Sequence, residues 1–252
     1  MNLRSHDTEF HSYHARLELV SAMSNTLLSC FDPKSISFVL GNSKSQLGQD
    51  LIALALSGLK QGGFFVEFGA TNGKDLSNTW ILEKFFGWNG ILAEPARSWH
   101  HELKSNRDCT IETDCVWTES NVRLLFNEVS SLELSTIDSF SKEDMHIDAR
   151  KFGNKYYVNT LSLNDLLTRH NAPKIIDYLS IDTEGSEFEI LKSFNFEGYQ
   201  FNFISCEHNF TDSRANIYEL LSAQGYKRIL QDVSKFDDWY VHRSLVESKG
   251  LI

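Results

Sequence analysis

The stretch Gly63-Phe-Phe-Val-Glu-Phe-Gly-Ala-Thr-Asn-Gly73 decides the fold of this chain. Its apolar half predicts a β-strand over Phe64–Phe68, and two glycines, Gly69 and Gly73, then bracket a tight polar turn. A helical pattern follows over Trp80–Phe86. Because glycines allow backbone N–H groups to approach a ligand closely, this strand, turn and helix predict a nucleotide-sized cradle. By itself, the turn also fits a plain strand-to-helix connection that needs glycine for its backbone.

An acidic residue near the end of this strand, Glu67, indicates the kind of ligand. A dinucleotide fold presents its pyrophosphate to a bare helix N-terminus, whereas a carboxylate there suits a cationic or amine-bearing ligand. S-adenosylmethionine, which carries both a sulfonium and an amino group, is a cofactor of this kind. The residues of the cradle predicted to bind it are Glu67, Gly69, Ala70, Asn72 and Gly73.

Acidic residues also follow the next two predicted strands. Glu94, in Ile91-Leu-Ala-Glu-Pro95, ends the second strand, where a carboxylate usually accepts hydrogen bonds from ribose hydroxyls. A solvated strand-end carboxylate is the alternative, and the spacing from the cradle favours ribose binding. Asp114 lies near the end of the third strand, where a carboxylate can accept a hydrogen bond from the adenine amine. A solvent-facing residue explains Asp114 equally well.

The composition is that of an ordinary globular protein. The chain has 252 residues, of which 41% are hydrophobic and 23% charged, and this length suits one large α/β domain. A formal net charge of −10 argues against a nucleic-acid partner, because there is no basic excess to neutralise phosphates. The longest apolar segment, Leu51–Leu59, is too short to cross a membrane, and Met1–Phe10 lacks the apolar core of a signal peptide. The four cysteines form no C-x-x-C pair and are expected to be reduced, which predicts a cytoplasmic protein.

Strands and helices alternate along most of the chain. Residues 1–44 predict an N-terminal helical extension, whose pattern Pro33 and Gly41 interrupt, and residues 45–252 predict the main domain. A helix over Ser45–Leu59 precedes the first strand, and repeated strand–helix units follow. They predict an α/β fold with a doubly wound, mostly parallel sheet and a late antiparallel strand. Ligands of such sheets bind at the carboxyl ends of the strands.

Two further predictions concern segments of the main domain. Thr110–Trp117 is predicted to form one strand. The polar segment Ser130–Asn159 interrupts the alternation. It fits either a substrate-facing loop or lid, or a variable surface excursion.

A second group of polar residues ends the fourth and fifth strands of the predicted sheet. Asp182 ends one of them, and Glu207 and His208 end the next. Adjacent parallel strands lie about 5 Å apart, so these three side chains are predicted to converge at the rim of the cradle and to carry the catalysis. Close carboxylates need a cation or a proton between them, and this ligand set suits Mg²⁺ or Mn²⁺, which would lower the pKa of an acceptor hydroxyl. Without a metal, His208 would be the general base; helix capping and cofactor binding are the structural alternative.

Several motifs, in order, resemble the FkbM-type methyltransferases, a family of class I S-adenosylmethionine-dependent enzymes. The resemblance covers roughly residues 45–245 and leaves residues 1–44 outside. The matching stretches are Ser45–Asp50, Gly63–Gly73, Ser77–Thr79, Gly87–Pro95, Thr160–Leu167 and Ile181–Glu187.

The resemblance implies a seven-stranded sheet and transfer of a methyl group, most often to a hydroxyl of a sugar or natural product. By position, Glu67, Gly69 and Asn72 would line the methionine part of the cofactor, and Glu94 would hold the ribose. Further residues implied to lie around the same pocket are Gln46, Gln49, Asp50, Ser77 and Asn78.

The group formed by Asp182, Glu207 and His208 also resembles the metal site of catechol-type O-methyltransferases. Those enzymes usually carry a lysine one helical turn after the first ligand, where this chain has Glu184-Gly-Ser186. Their general base therefore does not transfer directly to this chain.

Two other functions are alternatives to an O-methyltransferase. One is a non-catalytic module that binds S-adenosylmethionine, and the other is an NAD-dependent enzyme on a Rossmann sheet. The three polar residues at the predicted rim argue against the first, and Glu67 argues against the second. The predicted partner is a small-molecule or carbohydrate acceptor whose identity the sequence leaves open. The oligomeric state is also open, with a homodimer as one option.

Overall fold

The computed structural model describes residues 3–23 and 25–249, which fold into helices packed around a large sheet. The strands are β1 (Phe64–Phe68), β2 (Asn89–Ala93), β3 (Thr110–Glu112), β4 (Cys115–Trp117), β5 (Arg123–Glu128), β6 (Thr136–Ile137), β7 (Asn154–Ser162), β8 (Ile175–Ile181), β9 (Gln200–Glu207), β10 (Tyr226–Ile229) and β11 (Asp237–His242). The helices are α1 (Leu3–Ala22), α2 (Asn25–Leu28), α3 (Pro33–Asn42), α4 (Gln49–Ser57), α5 (Trp80–Phe86), α6 (His100–Asn106), α7 (Ile147–Arg150), α8 (Leu163–Arg169), α9 (Glu187–Ser193), α10 (Ser213–Ala223) and α11 (Arg243–Lys249).

The main sheet has seven strands in the order β10-β11-β9-β8-β1-β2-β3. Its strands are parallel except β11, which runs antiparallel to both of its neighbours. This is the α/β architecture that the sequence predicts, with the late antiparallel strand. The chain builds β1, β2 and β3 toward one edge and later adds β8 and β9 on the other side of β1. The point where the strand order reverses therefore lies between β1 and β8, and the open edge there is where ligands of such sheets bind.

The apolar core lies on both faces of this sheet. Side chains alternate between the faces along each strand: Phe65 belongs to one buried cluster and Val66 to the other. The first cluster packs against α1, α3, α4 and α5, and the second against α8, α9 and α10. No helix in the described part of the chain is both long enough and apolar enough to span a membrane.

The N-terminal helices pack directly onto the main domain. Leu19 is fully buried, and a Cβ added at Gly48, just before α4, would lie 2.5 Å from its Cδ2 atom. The helical pattern is interrupted just before Pro33, between α2 and α3, as predicted, whereas the interruption predicted at Gly41 is wrong, because Gly41 lies inside α3. Asp32 caps that helix by accepting hydrogen bonds from the backbone N–H groups of Lys34 and Ser35, at 2.7 and 3.0 Å. Proline suits the first helical position, where its missing N–H group costs nothing.

A second, four-stranded sheet with the order β4-β7-β5-β6 covers the edge of the site. The predicted single strand Thr110–Trp117 is therefore wrong, since its two halves belong to different sheets. The chain turns at Thr113, where the Glu112 carboxylate accepts hydrogen bonds from the N–H groups of Thr113 and Asp114, at 2.9 and 3.1 Å. Much of the segment 130–159 forms β6, α7 and part of β7.

Candidate methyl-transfer site

A cavity of about 330 Å³ opens at the carboxyl ends of β1, β2, β8 and β9. The predicted site residues that line it are Gln46, Glu67, Gly69, Ser77, Asn78, Glu94, Asp182 and Glu207. The predicted site residues outside its lining are Gln49, Asp50, Ala70, Asn72, Gly73, Asp114 and His208. The structure thus brings together about half of the predicted residues around one space.

Glu67 organises the turn between β1 and α5. Its carboxylate accepts hydrogen bonds from the Asn78 N–H group at 2.7 Å, the Thr79 hydroxyl at 2.5 Å and the Ser77 hydroxyl at 3.1 Å. Burial raises the pKa of Glu67, and the Arg107 guanidinium, 3.7 Å away, acts in the opposite direction. Glu67 therefore fixes the loop that forms one wall of the cavity.

Gly69 and Asn78 form the surface nearest to the centre of the sheet. Gly69 has a φ of 71°, and a Cβ there would lie 1.9 Å from the carbonyl oxygen of Asp182, so only glycine fits. The Asn78 side-chain amide donates to the Ser180 hydroxyl at 2.9 Å, whereas its carbonyl oxygen is buried and has no partner among the described residues. Since Asn78 lines the cavity, its unpartnered acceptor is suited to a ligand that carries an N–H donor, such as an amino group.

Glu94 lies across the cavity, and two backbone N–H groups hold it in place. Thr71 and Ala96 each donate to one of its carboxylate oxygens at 2.8 Å. Burial raises the pKa of Glu94 to about 7. Since each carboxylate oxygen can accept a second hydrogen bond, Glu94 fits the predicted contact with two ribose hydroxyls. The Gly69 surface, the Asn78 acceptor and Glu94 together fit S-adenosylmethionine.

The remaining predicted cofactor residues build the surroundings of the cavity. Asn72 accepts hydrogen bonds from the N–H groups of Lys74 and Asp75 and thereby shapes the turn before Gly73, whose φ is 78°. The Ala70 N–H group donates a hydrogen bond to the carbonyl oxygen of Ala93, with an N–O distance of 3.4 Å.

Two more predicted cofactor residues lie away from the cavity. Asp50 is fully buried and accepts hydrogen bonds from the Ser43 and Ser45 hydroxyls, at 2.9 and 2.6 Å. Asp114 lies in a separate surface depression, 3.4 Å from the Arg169 guanidinium. Neither residue is positioned by the fold to contact a ligand in the main cavity.

The acceptor end of the cavity is strongly acidic. Ile181 of β8 pairs with Cys206 of β9, and this register places the following residues, Asp182 and Glu207, side by side. Carboxylate oxygens of Asp182, Glu184 and Glu207 all lie within 4.8 Å of one another. Burial, together with the charge of Asp237, raises the pKa of Asp182 to about 7, and burial next to Asp182 raises that of Glu207 well above its usual value.

Glu184, which was not among the predicted site residues, also joins this group. Helix α9 begins three residues later, and Glu184 itself has a φ of 59°, so a left-handed turn directs its carboxylate back to the strand ends. Burial raises the pKa of Glu184 to about 9, against the opposing effect of the Arg150 guanidinium, which lies 2.6 Å away. The order Asp-x-Glu directly after a strand was the signal that could have identified it.

His208 does not join Asp182 and Glu207. Its Nδ1 atom accepts a hydrogen bond from the Phe210 N–H group at 3.0 Å, and its Nε2 atom faces Asp238, 3.8 Å away. The bend after β9 turns the imidazole away from the main cavity, toward the Asp238 carboxylate that Arg214 also binds. The predicted trio is therefore corrected in geometry to Asp182, Glu184 and Glu207.

The segment 130–153 forms one wall of the cavity. Leu134 and Met145 line it, and the buried Arg150 anchors the segment by donating to Glu184 at 2.6 Å, to Asp144 at 2.8 Å and to the Leu134 carbonyl at 2.8 Å. This part of the segment 130–159 therefore faces the cavity.

Among the known structures that are similar to this chain are the following three methyltransferases. The chain is similar to precorrin-6y C5,15-methyltransferase from Geobacter metallireducens (10% identity, 71% of this chain and 70% of that chain, TM-score 0.40). It is also similar to methyltransferase FkbM from Methylobacillus flagellatus (11%, 92% and 61%, 0.45) and to human methyltransferase 10 domain containing protein (15%, 96% and 97%, 0.42). A comparison with curated proteins gives no significant match.

The family model described as the methyltransferase FkbM domain matches residues 67–228, well over half of the chain. The match begins at Glu67, in β1, and ends in β10, so it includes the strands whose carboxyl ends surround the cavity. This range is shorter than the resemblance expected from the motifs, and it leaves Gln46 and Asp50 outside. The family implies S-adenosylmethionine as the methyl donor, and the cavity contains groups that fit it. The chain belongs to the FkbM family of methyltransferases.

Proposed function

We propose that this protein transfers a methyl group from S-adenosylmethionine to a hydroxyl group of a sugar or small natural product. The observation that carries this proposal is the close pair of carboxyl groups, the half-buried Asp182 and the buried Glu207, at the rim of the cofactor-sized cavity. A pKa near 7 for Asp182 suits a general base, because such a group is partly ionised at neutral pH and still binds a proton well.

One half of the cavity would bind the cofactor, and the other half would bind and deprotonate the acceptor. Asn78 would accept a hydrogen bond from the amino group of the cofactor and Glu94 from its ribose, while Gly69 leaves room between them. When bound, S-adenosylmethionine supplies an electrophilic methyl group. Asp182 accepts the proton of the acceptor hydroxyl, and Glu207 shares that proton at short range. The fixed carboxylates thereby hold the nucleophilic oxygen in line with the donor.

A second form of the proposal adds a divalent cation, with Glu184 in place of His208 among its ligands. Asp182, Glu184 and Glu207 would hold it, since hard cations such as Mg²⁺ and Mn²⁺ prefer carboxylate oxygens. The cation would supply Lewis-acid polarisation of the acceptor oxygen. Arg150 already neutralises part of the Glu184 charge, which favours the metal-free form.

The test is a turnover screen that measures release of S-adenosylhomocysteine from a panel of hydroxyl acceptors, after calorimetry has established cofactor binding. Turnover with at least one acceptor, lost in Asp182→Asn, supports the proposal. Binding without turnover across the panel would favour the non-catalytic module. Parallel reactions with EDTA and with Mn²⁺ decide between the metal-free and the metal-assisted form of the proposal. Family membership removes the support for an NAD-dependent enzyme.

The expected partner is a small-molecule or carbohydrate acceptor rather than a nucleic acid or a membrane. The charged residues that line the cavity within the described parts of the chain, apart from His146, are all acidic, so no lysine or arginine lines it to bind a phosphate group. Cytoplasmic location and a homodimeric state stay predictions from the sequence.

A further inference from the structure

An exposed aromatic side chain stands at the mouth of the cavity. Phe210 lines the cavity and is 61% exposed, although a phenylalanine is usually buried. Its backbone has a φ of 57°, and Asn209 before it has a φ of 42°. Two consecutive non-glycine residues in the left-handed region are unusual, and such strain persists only where the surrounding structure enforces it.

His208 is the residue that enforces this turn. Its Nδ1 atom accepts the Phe210 N–H group at 3.0 Å, and its ring lies 5.3 Å from the Phe210 ring in an edge-to-face arrangement. Its carbonyl oxygen accepts hydrogen bonds from both the N–H group and the hydroxyl of Thr211, each at 2.8 Å. The His208 N–H group is itself fixed by the carbonyl oxygen of Phe236, at 2.9 Å. Hydrogen bonds thus hold the turn at His208 and at Thr211, and Phe210 lies at the opening of the cavity.

The polar groups beside Phe210 define the other side of this subsite. Asn209 also lines the cavity, and its side-chain amide donates to Glu184 at 3.3 Å. Asp182, Glu184 and Glu207 lie next to it, and no lysine or arginine of the described residues lines the cavity. A carboxylate or phosphate on the acceptor would therefore lie beside acidic groups, and the nearby Arg150 is already paired with Glu184.

We propose that Phe210 is the platform against which the acceptor binds, and that the acceptor is a non-anionic cyclic polyol. This inference rests on the proposed function. An aromatic face opposite carboxylate and amide oxygens matches a sugar ring, which has an apolar C–H face and an edge of hydroxyl donors. A ring amine would be tolerated or favoured, because a protonated amine is attracted by both the carboxylates and the aromatic face. His208 is then a positioning residue: it acts through the backbone of Phe210.

The first experiment measures binding without turnover. Saturation-transfer NMR is recorded on the full chain saturated with S-adenosylhomocysteine, using methyl glucoside, glucosamine and glucuronate as probes. The first two should bind and glucuronate should not. Phe210→Ala should weaken binding roughly 2- to 12-fold, as expected for the loss of one aromatic contact, and Phe210→Trp should retain it. Phe152→Ala is the matched control, since Phe152 is 95% exposed and does not line the cavity.

Three outcomes would overturn the proposal: binding of glucuronate equal to that of methyl glucoside, equal loss in Phe152→Ala, or no binding of any probe. Methyl transfer itself is measured separately in the turnover screen. A protein that methylates only anionic acceptors would keep the proposed function and refute this inference.

The second experiment separates positioning from base catalysis at His208. An asparagine side chain can accept a hydrogen bond from the N–H group two residues later, as His208 does, but it cannot act as a general base. His208→Asn should therefore keep most of the probe binding and turnover, whereas His208→Ala should raise the KM for the acceptor and leave the affinity for S-adenosylhomocysteine unchanged. Equal loss of kcat in both variants, with KM unchanged, would contradict the positioning role.

Discussion

The two halves of the cavity treat their carboxylates in opposite ways. On the donor side, Glu67 and Glu94 are buried, and backbone N–H groups and hydroxyls of the protein hold them in place. On the acceptor side, Glu207 is buried and Asp182 is half-buried, and both lie beside other carboxyl groups. The first half is a framework whose hydrogen bonds within the protein are already formed. The second half holds carboxyl groups with raised pKa values, which is typical of groups that react.

Removing a reactive carboxylate should give the largest effect. Asp182→Asn keeps the shape of the side chain but removes the proton acceptor, so kcat should fall about 10²- to 10⁴-fold, the usual contribution of a general base. Calorimetry should find S-adenosylmethionine affinity nearly unchanged. If the affinity collapses together with kcat, Asp182 belongs to the donor half and the division between the halves fails.

Removing the donor-side carboxylate Glu67 should instead lower the free energy of unfolding. Glu67→Ala leaves the nearby Arg107 without one of its charge partners and the Thr79 hydroxyl without its acceptor, and breaking such a buried arrangement costs about 3–5 kcal/mol. Urea unfolding of Glu67→Ala and Asp182→Asn measures the contrast directly. A similar loss of stability in both variants would mean that the two halves do not differ as described.

Glu94 should show an intermediate effect, on cofactor affinity. Glu94→Ala removes the proposed ribose acceptor, and loss of hydrogen bonds to a charged group costs about 1.5–3 kcal/mol, or roughly 10- to 150-fold in Kd. Glu94→Gln, which keeps one acceptor oxygen, should lose less. Equal affinity of wild type and Glu94→Ala would place the ribose elsewhere.

The raised pKa of Glu94 predicts a smaller effect, on how the stability of the protein and its affinity for the cofactor change with pH. Its folded-state pKa is raised to about 7 from an ordinary value of 4.5, so the folded protein binds this proton more tightly than the unfolded chain. The free protein should therefore lose stability as the pH rises from about 4.5 to 7, while cofactor affinity should increase as Glu94 ionises. Thermal melts of wild type and Glu94→Gln from pH 5 to 8 test this. A slope that the substitution leaves unchanged would assign the titration to other groups.

Asn78 should show the smallest effect. Its unpartnered carbonyl oxygen is proposed to accept one hydrogen bond from the cofactor, a contact of about 1 kcal/mol. Asn78→Ser should weaken S-adenosylmethionine several-fold and leave kcat at saturation nearly unchanged. A large fall in kcat would move Asn78 from donor binding to the alignment of the reacting groups.

The elements of the central sheet were predictable because their signals are local. The apolar run Phe64–Phe68 and the glycine after it give the bounds of β1 correctly, and the alternation of strands and helices gives the parallel sheet. The register between β8 and β9 follows from the same pattern, so the neighbourhood of Asp182 and Glu207 was also within reach.

The errors come from turns, where one residue changes the direction of a side chain. Asp182 directly follows β8 and Glu207 ends β9, but His208 lies one position farther, where the bend toward Phe210 has begun. Glu184 enters the acidic group only because its backbone is left-handed, and nothing in its type requires this. The contact between Arg150 and Glu184 joins segments 34 residues apart, and no local pattern encodes it.

The packing of α1 has a practical consequence for anyone who trims this chain. The family match begins at residue 67, yet the buried Arg16 donates to the carbonyl oxygen of Ser45 at 2.8 Å, and Leu19 fills the space beside Gly48. A fragment cut at the predicted boundary between residues 44 and 45 would expose the apolar surface of α4 to water. Expression of a shortened fragment should therefore yield an aggregating protein, and crystallisation or assay work is better served by retaining the first helix.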